Sequence, residues 1–106
     1  NQAGECIKFG DWILRQDSCE LYKNDAKVEL TSMEYKLLLF LITNPNRVFT
    51  KQQLYERVWG QEFMGDENII MVYISKLREK IEGDPKNPRY LKTIRGLGYR
   101  FEGEIQ

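Results

Sequence analysis

The residues best suited to recognition chemistry lie on one face of a helix predicted between residues 66 and 82. Asn68 can pair with adenine, and Lys76 can reach a phosphate or the edge of a guanine. Ile69 and Val72 lie on the same face, where thymine methyl groups would be natural contacts. A surface that mixes amide, basic and apolar side chains in this way suits the base edges of a DNA groove. The two apolar residues could equally bury against a loop or a partner chain.

The helix is predicted from the opposite face of the same stretch. Apolar residues recur there every three or four positions, at Ile70, Ile74, Leu77 and Ile81. This spacing is typical of a helix that packs one narrow stripe on a core. Asp66 or Glu67 is expected to cap the first turn of this helix.

A glycine-rich hairpin near the C-terminal end offers a second set of contacts. Residues 90–95 and 99–102 are rich in strand-forming types and flank Gly96-Leu97-Gly98, which suits a tight turn. Arg95 is placed to enter a minor groove, where narrow A·T tracts concentrate negative potential. A purely structural hairpin with a surface arginine fits these residues equally well.

Charge is unevenly distributed along a chain of zero net charge. Residues 68–101 contain eight Lys or Arg and three acids, a net charge of +5 that leaves −5 for the remainder. Such a separation would orient the protein on a polyanion. The simpler interpretation is a solvated basic face.

Several kinds of chemistry are disfavoured by composition. The chain has no histidine, the commonest general base, and its two cysteines cannot complete an ordinary zinc site. Acid pairs such as Asp66-Glu67 are interpreted as caps and solvated charges. We therefore expect no catalytic residue, no metal and no other cofactor. Cys6 and Cys19 are expected to be reduced, small apolar fillers rather than a disulfide.

A chain of 106 residues is long enough for one domain with a single core. No apolar run of about 18 residues predicts a membrane span, and the first residues lack the basic and apolar regions of a signal peptide. We therefore expect a cytoplasmic protein without a membrane partner. Residues 1–4 are interpreted as a linker remnant and 104–106 as a C-terminal tail, on either side of a domain from 5 to 103.

The elements that would position these residues begin with short strands. Between residues 5 and 30, alternating apolar residues and an Asn24-Asp25 hairpin signal predict about four antiparallel strands. Thr31–Glu34 and Thr50–Gln53 are capping boxes, and each opens a helix. The first helix is apolar almost all round and is predicted to be the buried centre, while Gly60 ends the second.

The order of these elements predicts an α+β fold. Two helices joined by the extended link Val48-Phe49, then a loop, a third helix and a basic hairpin, make a winged helix-turn-helix. Its predicted parts are an N-terminal four-stranded antiparallel sheet, three helices and a C-terminal β-hairpin wing.

Nearly the whole chain, from about residue 5 to 103, resembles the effector domain of OmpR/PhoB-type response regulators. The likeness lies in the segments LTSMEYKLLLFLITNPNRVFTKQQLYERVWG and MVYISKLREKIEGDPKNPRYLKTIRGLGYRF. It implies a non-enzymatic winged helix that binds double-stranded promoter DNA in the transcription factor of a two-component system. The third helix (66–82) would enter the major groove, and the wing (90–102) would meet the adjacent minor groove.

The resemblance also implies a set of DNA contacts, carried over position by position. Backbone contacts from the second helix would be Lys51 and Trp59. The other contacts would be Asn68, Ile69, Val72, Tyr73, Ser75, Lys76, Arg78, Thr93, Arg95 and Tyr99. Base preference is not carried over, because this chain departs from common family residues at Asn68, Ile69, Met71, Tyr73 and Ser75.

Partners follow from the same resemblance. Family members commonly bind as head-to-tail pairs on direct repeats, and some contact RNA polymerase through the loop that corresponds to residues 61–65. The receiver domain with its phosphorylated aspartate is absent from this chain, so the resemblance implies an effector half that works with its own receiver. The alternative from another class is a winged helix that docks a polymerase subunit or another regulator through Ile69 and Val72. The third and least favoured interpretation of the sequence is a small hydrolase.

Overall fold

The N-terminal sheet is built from four short strands that pair in sequence order. The computed structural model of the chain describes residues 6–105. The strands are β1 (Cys6–Phe9), β2 (Trp12–Arg15), β3 (Glu20–Lys23) and β4 (Ala26–Val28), all antiparallel to their neighbours. Asn24 and Asp25 both have positive φ, at 50° and 70°, as a tight hairpin turn between twisted strands requires. The predicted sheet is therefore confirmed.

Helix α1 (Ser32–Ile42) follows this sheet and supplies the centre of the core. Its capping box is formed, because the Thr31 hydroxyl accepts the Glu34 amide and the Glu34 carboxylate accepts the Thr31 amide. Leu37, Leu38 and Leu41 have no exposed surface. The prediction of a buried first helix is correct.

The second helical segment starts as α2 (Lys51–Leu54) and continues as a π-helical turn, Tyr55–Trp59. Its capping box joins Thr50 and Gln53 as predicted. Gly60 ends it with a φ of 72°, a left-handed conformation that glycine adopts without steric cost.

Helix α3 (Asn68–Ile81) begins two residues later than predicted. Glu67 lies at the N-cap without a side-chain bond, whereas the Asp66 carboxylate accepts the Asn68 amide at 3.1 Å. Asp66 is therefore the residue that satisfies the first turn. The predicted apolar stripe is buried along its whole length: Ile70, Ile74, Leu77 and Ile81.

The C-terminal hairpin belongs to a three-stranded sheet. Strands β6 (Leu91–Ile94) and β7 (Gly98–Phe101) form the predicted wing, and β5 (Val48–Phe49) pairs with the other side of β7. The sequence analysis treated Val48-Phe49 only as a link between helices. Its partner lies about fifty residues away, so no local pattern reveals the pairing.

The expectation that Cys6 and Cys19 are buried fillers is wrong, because both are exposed. Ile105, within the predicted tail, is half-buried and packs against the core. The predicted linker at 1–4 lies outside the described residues. Among residues 6–105, no helix is long and apolar enough to cross a membrane.

Gly98 is the position where the wing sheet tolerates no side chain. Its φ is 154°, and an added Cβ would clash with the Phe49 carbonyl oxygen and lie 2.9 Å from the Thr50 Cα. Because these atoms belong to the backbone, they cannot rotate away. We expect Gly98→Ala to lower the free energy of unfolding by more than about 3 kcal/mol, from overpacking and backbone strain together.

Urea unfolding followed by tryptophan fluorescence measures this loss. Gly96→Ala is the matched control, because Gly96 has a φ of 77° but no atom within 4 Å of an added Cβ. Gly96→Ala should therefore lower the free energy of unfolding by backbone strain alone, about 1–2 kcal/mol. Equal losses in the two variants would contradict the steric account of Gly98.

Candidate nucleic-acid interface

The outer face of α3 carries the residues that the sequence analysis assigned to recognition. Asn68, Ser75 and Lys76 are exposed, and Met71 and Val72 are each 47% exposed. Val72 thus lies opposite the buried stripe, with Met71 beside it, since successive residues point in different directions around a helix. Scattered apolar residues are normal on a protein surface, but two in succession on the second helix of a helix-turn-helix mark a candidate contact surface.

Ile69 differs from the expectation. It is half-buried and packs against the core cluster, because it lies nearer to the inner stripe than Val72 does. Its role on the outer face is therefore limited to the part of the side chain that remains accessible. Met71, which the sequence analysis singled out only as a departure from common family residues, takes its place as the second apolar side chain on that face.

An aromatic cluster joins the second helical segment to α3. The Trp59 ring stacks on Tyr55 with centroids 5.5 Å apart and meets Tyr73 edge-on at 5.2 Å. The Lys76 ammonium lies 5.4 Å from the centroid of the Tyr73 ring. Trp59 and Tyr73 are half-buried, so they pack against each other and still present part of each ring at the surface.

Lys51 lies at the start of α2, close to the start of α3. Its ammonium is 3.5 Å from the Glu67 carboxylate, and both side chains are substantially exposed. Exposed ion pairs of this kind contribute little and exchange easily. The Lys51 ammonium can therefore turn to an anion such as a phosphate at small cost.

The wing presents its basic residue at the tip. Thr93 and Arg95 are exposed, Gly96 has a φ of 77°, and Leu97 is 61% exposed. Arg95 and Leu97 thus extend from the hairpin into solvent. This is the geometry that the sequence analysis expected of a side chain that enters a minor groove.

Arg78 and Tyr99, which the resemblance includes among the DNA contacts, also have partners within the domain. The Arg78 guanidinium donates to the Leu91 carbonyl at 2.9 Å and to the Thr93 hydroxyl at 2.7 Å, and it lies 5.8 Å from the Tyr99 ring centroid. Burial lowers the pKa of Arg78 from its usual value. Tyr99 is only 6% exposed. The sequence could not show this, because the partners of Arg78 lie 13 to 15 positions away.

Two buried acids hold α3 in position. The sequence analysis did not identify either of them as a structural anchor. Glu34 is 2% exposed, and its carboxylate pairs with the Lys80 ammonium at 2.5 Å. Lys80 also donates to the Glu29 carbonyl at 2.7 Å. Glu82, at the C-cap of α3, is 7% exposed and accepts backbone amides at the start of β6 and just before it. The capping box was the only sequence signal, and it pointed to Glu34 alone.

Within residues 6–105, no group of three or more His, Cys, Asp or Glu is arranged to hold a metal ion. The described surface offers instead an extended helix face, a basic wing tip and an aromatic edge. Such an arrangement binds and orients a large polar partner.

Residues 25–101 match the family described as "Transcriptional regulatory protein, C terminal". The chain belongs to this family. The family is one of transcription regulators and is not an enzyme family.

Relatives and solved structures agree with this membership. The chain is 46% identical over 96 residues to the alkaline phosphatase synthesis transcriptional regulatory protein PhoP of Bacillus subtilis, covering 91% of this chain and 40% of PhoP. It is similar to DrrB of Thermotoga maritima, a response regulator described as an OmpR/PhoB homologue, with 33% identity and a TM-score of 0.83 over 92% of this chain and 44% of DrrB. The winged-helix fold is that of OmpR/PhoB-type effector domains.

A second solved structure includes the nucleic acid. It is the DNA-binding domain of the response regulator AdeR in complex with an intercistronic region, 27% identical, with a TM-score of 0.75 over 92% of this chain and 99% of AdeR's. The chain spans 44% of the length of the Bacillus subtilis regulator YcbL and 40% of PhoP, so it corresponds to the effector part of such proteins.

The Glu34–Lys80 pair of this effector domain generates a pH prediction. Burial alone would raise the pKa of Glu34, but the Lys80 ammonium and the Thr31 amide outweigh it and hold the pKa below 4.5. A lowered pKa means that the pair stabilises the fold above pH 4.5 and that this stabilisation is lost as the pH falls through the lowered pKa. We expect Lys80→Met to cost about 2 kcal/mol at pH 7 and progressively less below pH 4.

Urea unfolding at pH 7, 5, 4 and 3 measures the difference between Lys80→Met and the parent. Lys36→Met is the matched control, since Lys36 is an exposed lysine on α1. That control should change stability by less than about 0.5 kcal/mol at every pH. A loss in Lys80→Met that stays constant from pH 7 to pH 3 would contradict the assignment to Glu34.

Proposed function

We propose that this effector domain binds double-stranded promoter DNA sequence-specifically, as the output domain of a two-component transcriptional regulator. Helix α3 enters the major groove, and the wing meets the adjacent minor groove. The observation that carries the proposal is the outer face of α3, where Met71 and Val72 are exposed between hydrogen-bonding and basic side chains. The likeness to the AdeR domain, whose structure includes an intercistronic region, supports DNA as the ligand.

Affinity comes from contacts to phosphates that flank the major groove. Lys51 and Lys76 supply charge, and Trp59 and Tyr73 can each donate one hydrogen bond from the exposed part of the ring. These contacts position the domain but carry no sequence information. The zero net charge of the chain does not oppose this, because residues 68–101, which include α3 and the wing, carry a net charge of +5.

Specificity comes from side chains that meet base edges. Asn68 can pair with adenine, Ser75 can bond to several bases, and Val72 can contact a thymine methyl group. Ile69 contributes at the margin of this surface. Arg95 enters the minor groove beside Thr93, where a narrow A·T tract would favour the guanidinium.

The remaining partners belong to the same proposal. A single module of this size buries a modest interface on DNA, so two copies arranged head to tail on direct repeats would raise the affinity. The loop at 61–65 contacts RNA polymerase, and its apolar side chain Met64 is 84% exposed. The domain acts in the cytoplasm, joined to its own receiver domain in the full-length protein.

Salt dependence is the experiment that tests DNA binding. Each neutralised phosphate lowers the slope of log affinity against log salt by about 0.9. We expect a slope of about −3 to −6 for a promoter duplex, measured by fluorescence anisotropy between low and moderate salt. A flat response, or the absence of binding to any duplex in a randomised pool, would favour a winged helix that docks a protein partner.

A methyl-specific prediction follows from Val72. Once footprinting on selected duplexes defines the site, each thymine in the α3 footprint is replaced singly by deoxyuridine, which lacks only the methyl group. We expect one replacement to weaken parent binding by about 0.8 kcal/mol, the value of one buried methylene-sized group. Val72→Ala should bind more weakly and no longer respond to that replacement.

The control uses the same substitution on an exposed valine elsewhere. Val48 is 36% exposed on β5, so Val48→Ala should keep both the parent affinity and its response to deoxyuridine. If every thymine can be replaced without effect in the parent, Val72 does not read a methyl group. DNA binding itself would then stand, with its specificity assigned to other residues.

A further inference from the structure

Glu82 ends α3, and its carboxylate is buried against the chain that leads into the wing. The residue is 7% exposed. The carboxylate accepts the amides of Arg89 at 2.6 Å, Tyr90 at 3.0 Å and Leu91 at 2.8 Å. Bonds to an ionised acceptor are about twice as strong as neutral ones. The carboxylate at the C-cap of α3 therefore holds three successive amides at one point, the last of which belongs to the first residue of β6.

Arg78 binds the same strand from one helical turn earlier. Residues four apart lie on the same face of a helix, so Arg78 and Glu82 approach β6 together. Arg78 donates to the Leu91 carbonyl and to the Thr93 hydroxyl. Both backbone polar groups of Leu91 are therefore bonded to side chains of α3 and its C-cap.

This contact covers the start of the outer edge of the wing sheet. The strand order is β5, β7, β6, so β6 has a strand partner on one side only. An open edge leaves backbone groups unpaired. At Leu91, the first residue of β6, the side chains of Arg78 and Glu82 bond the backbone groups that a further strand would bond. The orientation of the wing is thus tied to α3 itself.

We propose that Glu82 and Arg78 are positioning residues that set the wing at the orientation in which Arg95 reaches the minor groove while α3 occupies the major groove. Neither residue needs to touch DNA for this role. The inference rests on the proposed DNA binding. Its physical basis is preorganisation: a wing that is already oriented loses less conformational freedom when it binds.

A double-mutant cycle with Arg95 tests the proposal. Glu82→Gln keeps the shape of the side chain but removes its charge and one acceptor oxygen, so at least one amide loses its partner. If Glu82 acts through the wing, Glu82→Gln weakens duplex binding roughly tenfold in the parent, a change of 1.4 kcal/mol. In the Arg95→Ala background the same substitution changes binding less than about twofold. Equal fold losses in both backgrounds would overturn the proposal.

Glu79→Gln is the matched control. Glu79 is an exposed acid on the same helix, so this variant removes the same charge without touching β6. Its effect on affinity should be the same with and without Arg95. A Glu79→Gln effect that also vanished in Arg95→Ala would show that the cycle reports charge alone, and the proposal would fail.

Arg78→Lys separates positioning from a direct phosphate contact. Lysine keeps the charge but cannot reproduce the fork that bonds Leu91 and Thr93 at once. A positioning role predicts a loss as large as that of Glu82→Gln, with the salt slope unchanged. Parent-like affinity in Arg78→Lys would assign Arg78 to phosphate binding instead.

A measurement on the free domain distinguishes this inference from the proposed function. Residual dipolar couplings report the orientation of the β6–β7 amides relative to those of α3. We expect Glu82→Gln to reorient the wing while α1 and the N-terminal sheet keep their couplings, which also shows that the variant is folded. Unchanged wing couplings would overturn the inference even if DNA binding holds. Failure of the parent to bind any duplex would refute the proposed function and leave the couplings to decide the inference.

Discussion

The packing of the inner stripe of α3 is the interaction on which the rest of the structure depends. Ile70, Ile74, Leu77 and Ile81 are all buried, and together they fix the rotation of the helix about its own axis. Once that rotation is set, Val72 faces outward, because it lies on the side of the helix opposite the buried stripe, and it is 47% exposed. Burial of one face thereby determines which side chains are offered to a partner.

Charged side chains near the end of α3 then fix its neighbours. Lys80 joins it to the Glu34 cap of α1, and Arg78 and Glu82 join it to β6. Buried ionic groups of this kind are weak sources of net stability, since desolvation offsets most of the attraction. Their geometry is directional, however, and it ties two other parts of the molecule to one helix. An apolar core holds elements together, while these bonds specify how they are oriented.

Some side chains of the proposed interface lie on elements that pack against each other, and others lie at the exposed wing tip. The aromatic cluster around Trp59 holds the second helical segment against α3, so Lys51 and Val72 are carried on one rigid surface. Arg95 and Leu97 extend from a hairpin tip that is exposed to solvent. Positional accuracy at the wing therefore depends on the strands below the tip, and on β6 in particular, because that strand is bonded to α3.

The sequence by itself determined the features that depend on near neighbours: both capping boxes, the Asn24-Asp25 turn, the stripe of α3 and the wing hairpin. Each is decided within a few residues, by hydrogen bonds or by periodicity. Only the tertiary structure decided that β5 joins the wing sheet, that Ile69 turns partly inward, and that Arg78 bonds β6 rather than lying free. These outcomes depend on partners from about 13 to 50 positions away. A side chain such as Arg78 has the same local pattern whether it meets solvent, DNA or a strand edge, so its role emerges only when the chain is folded.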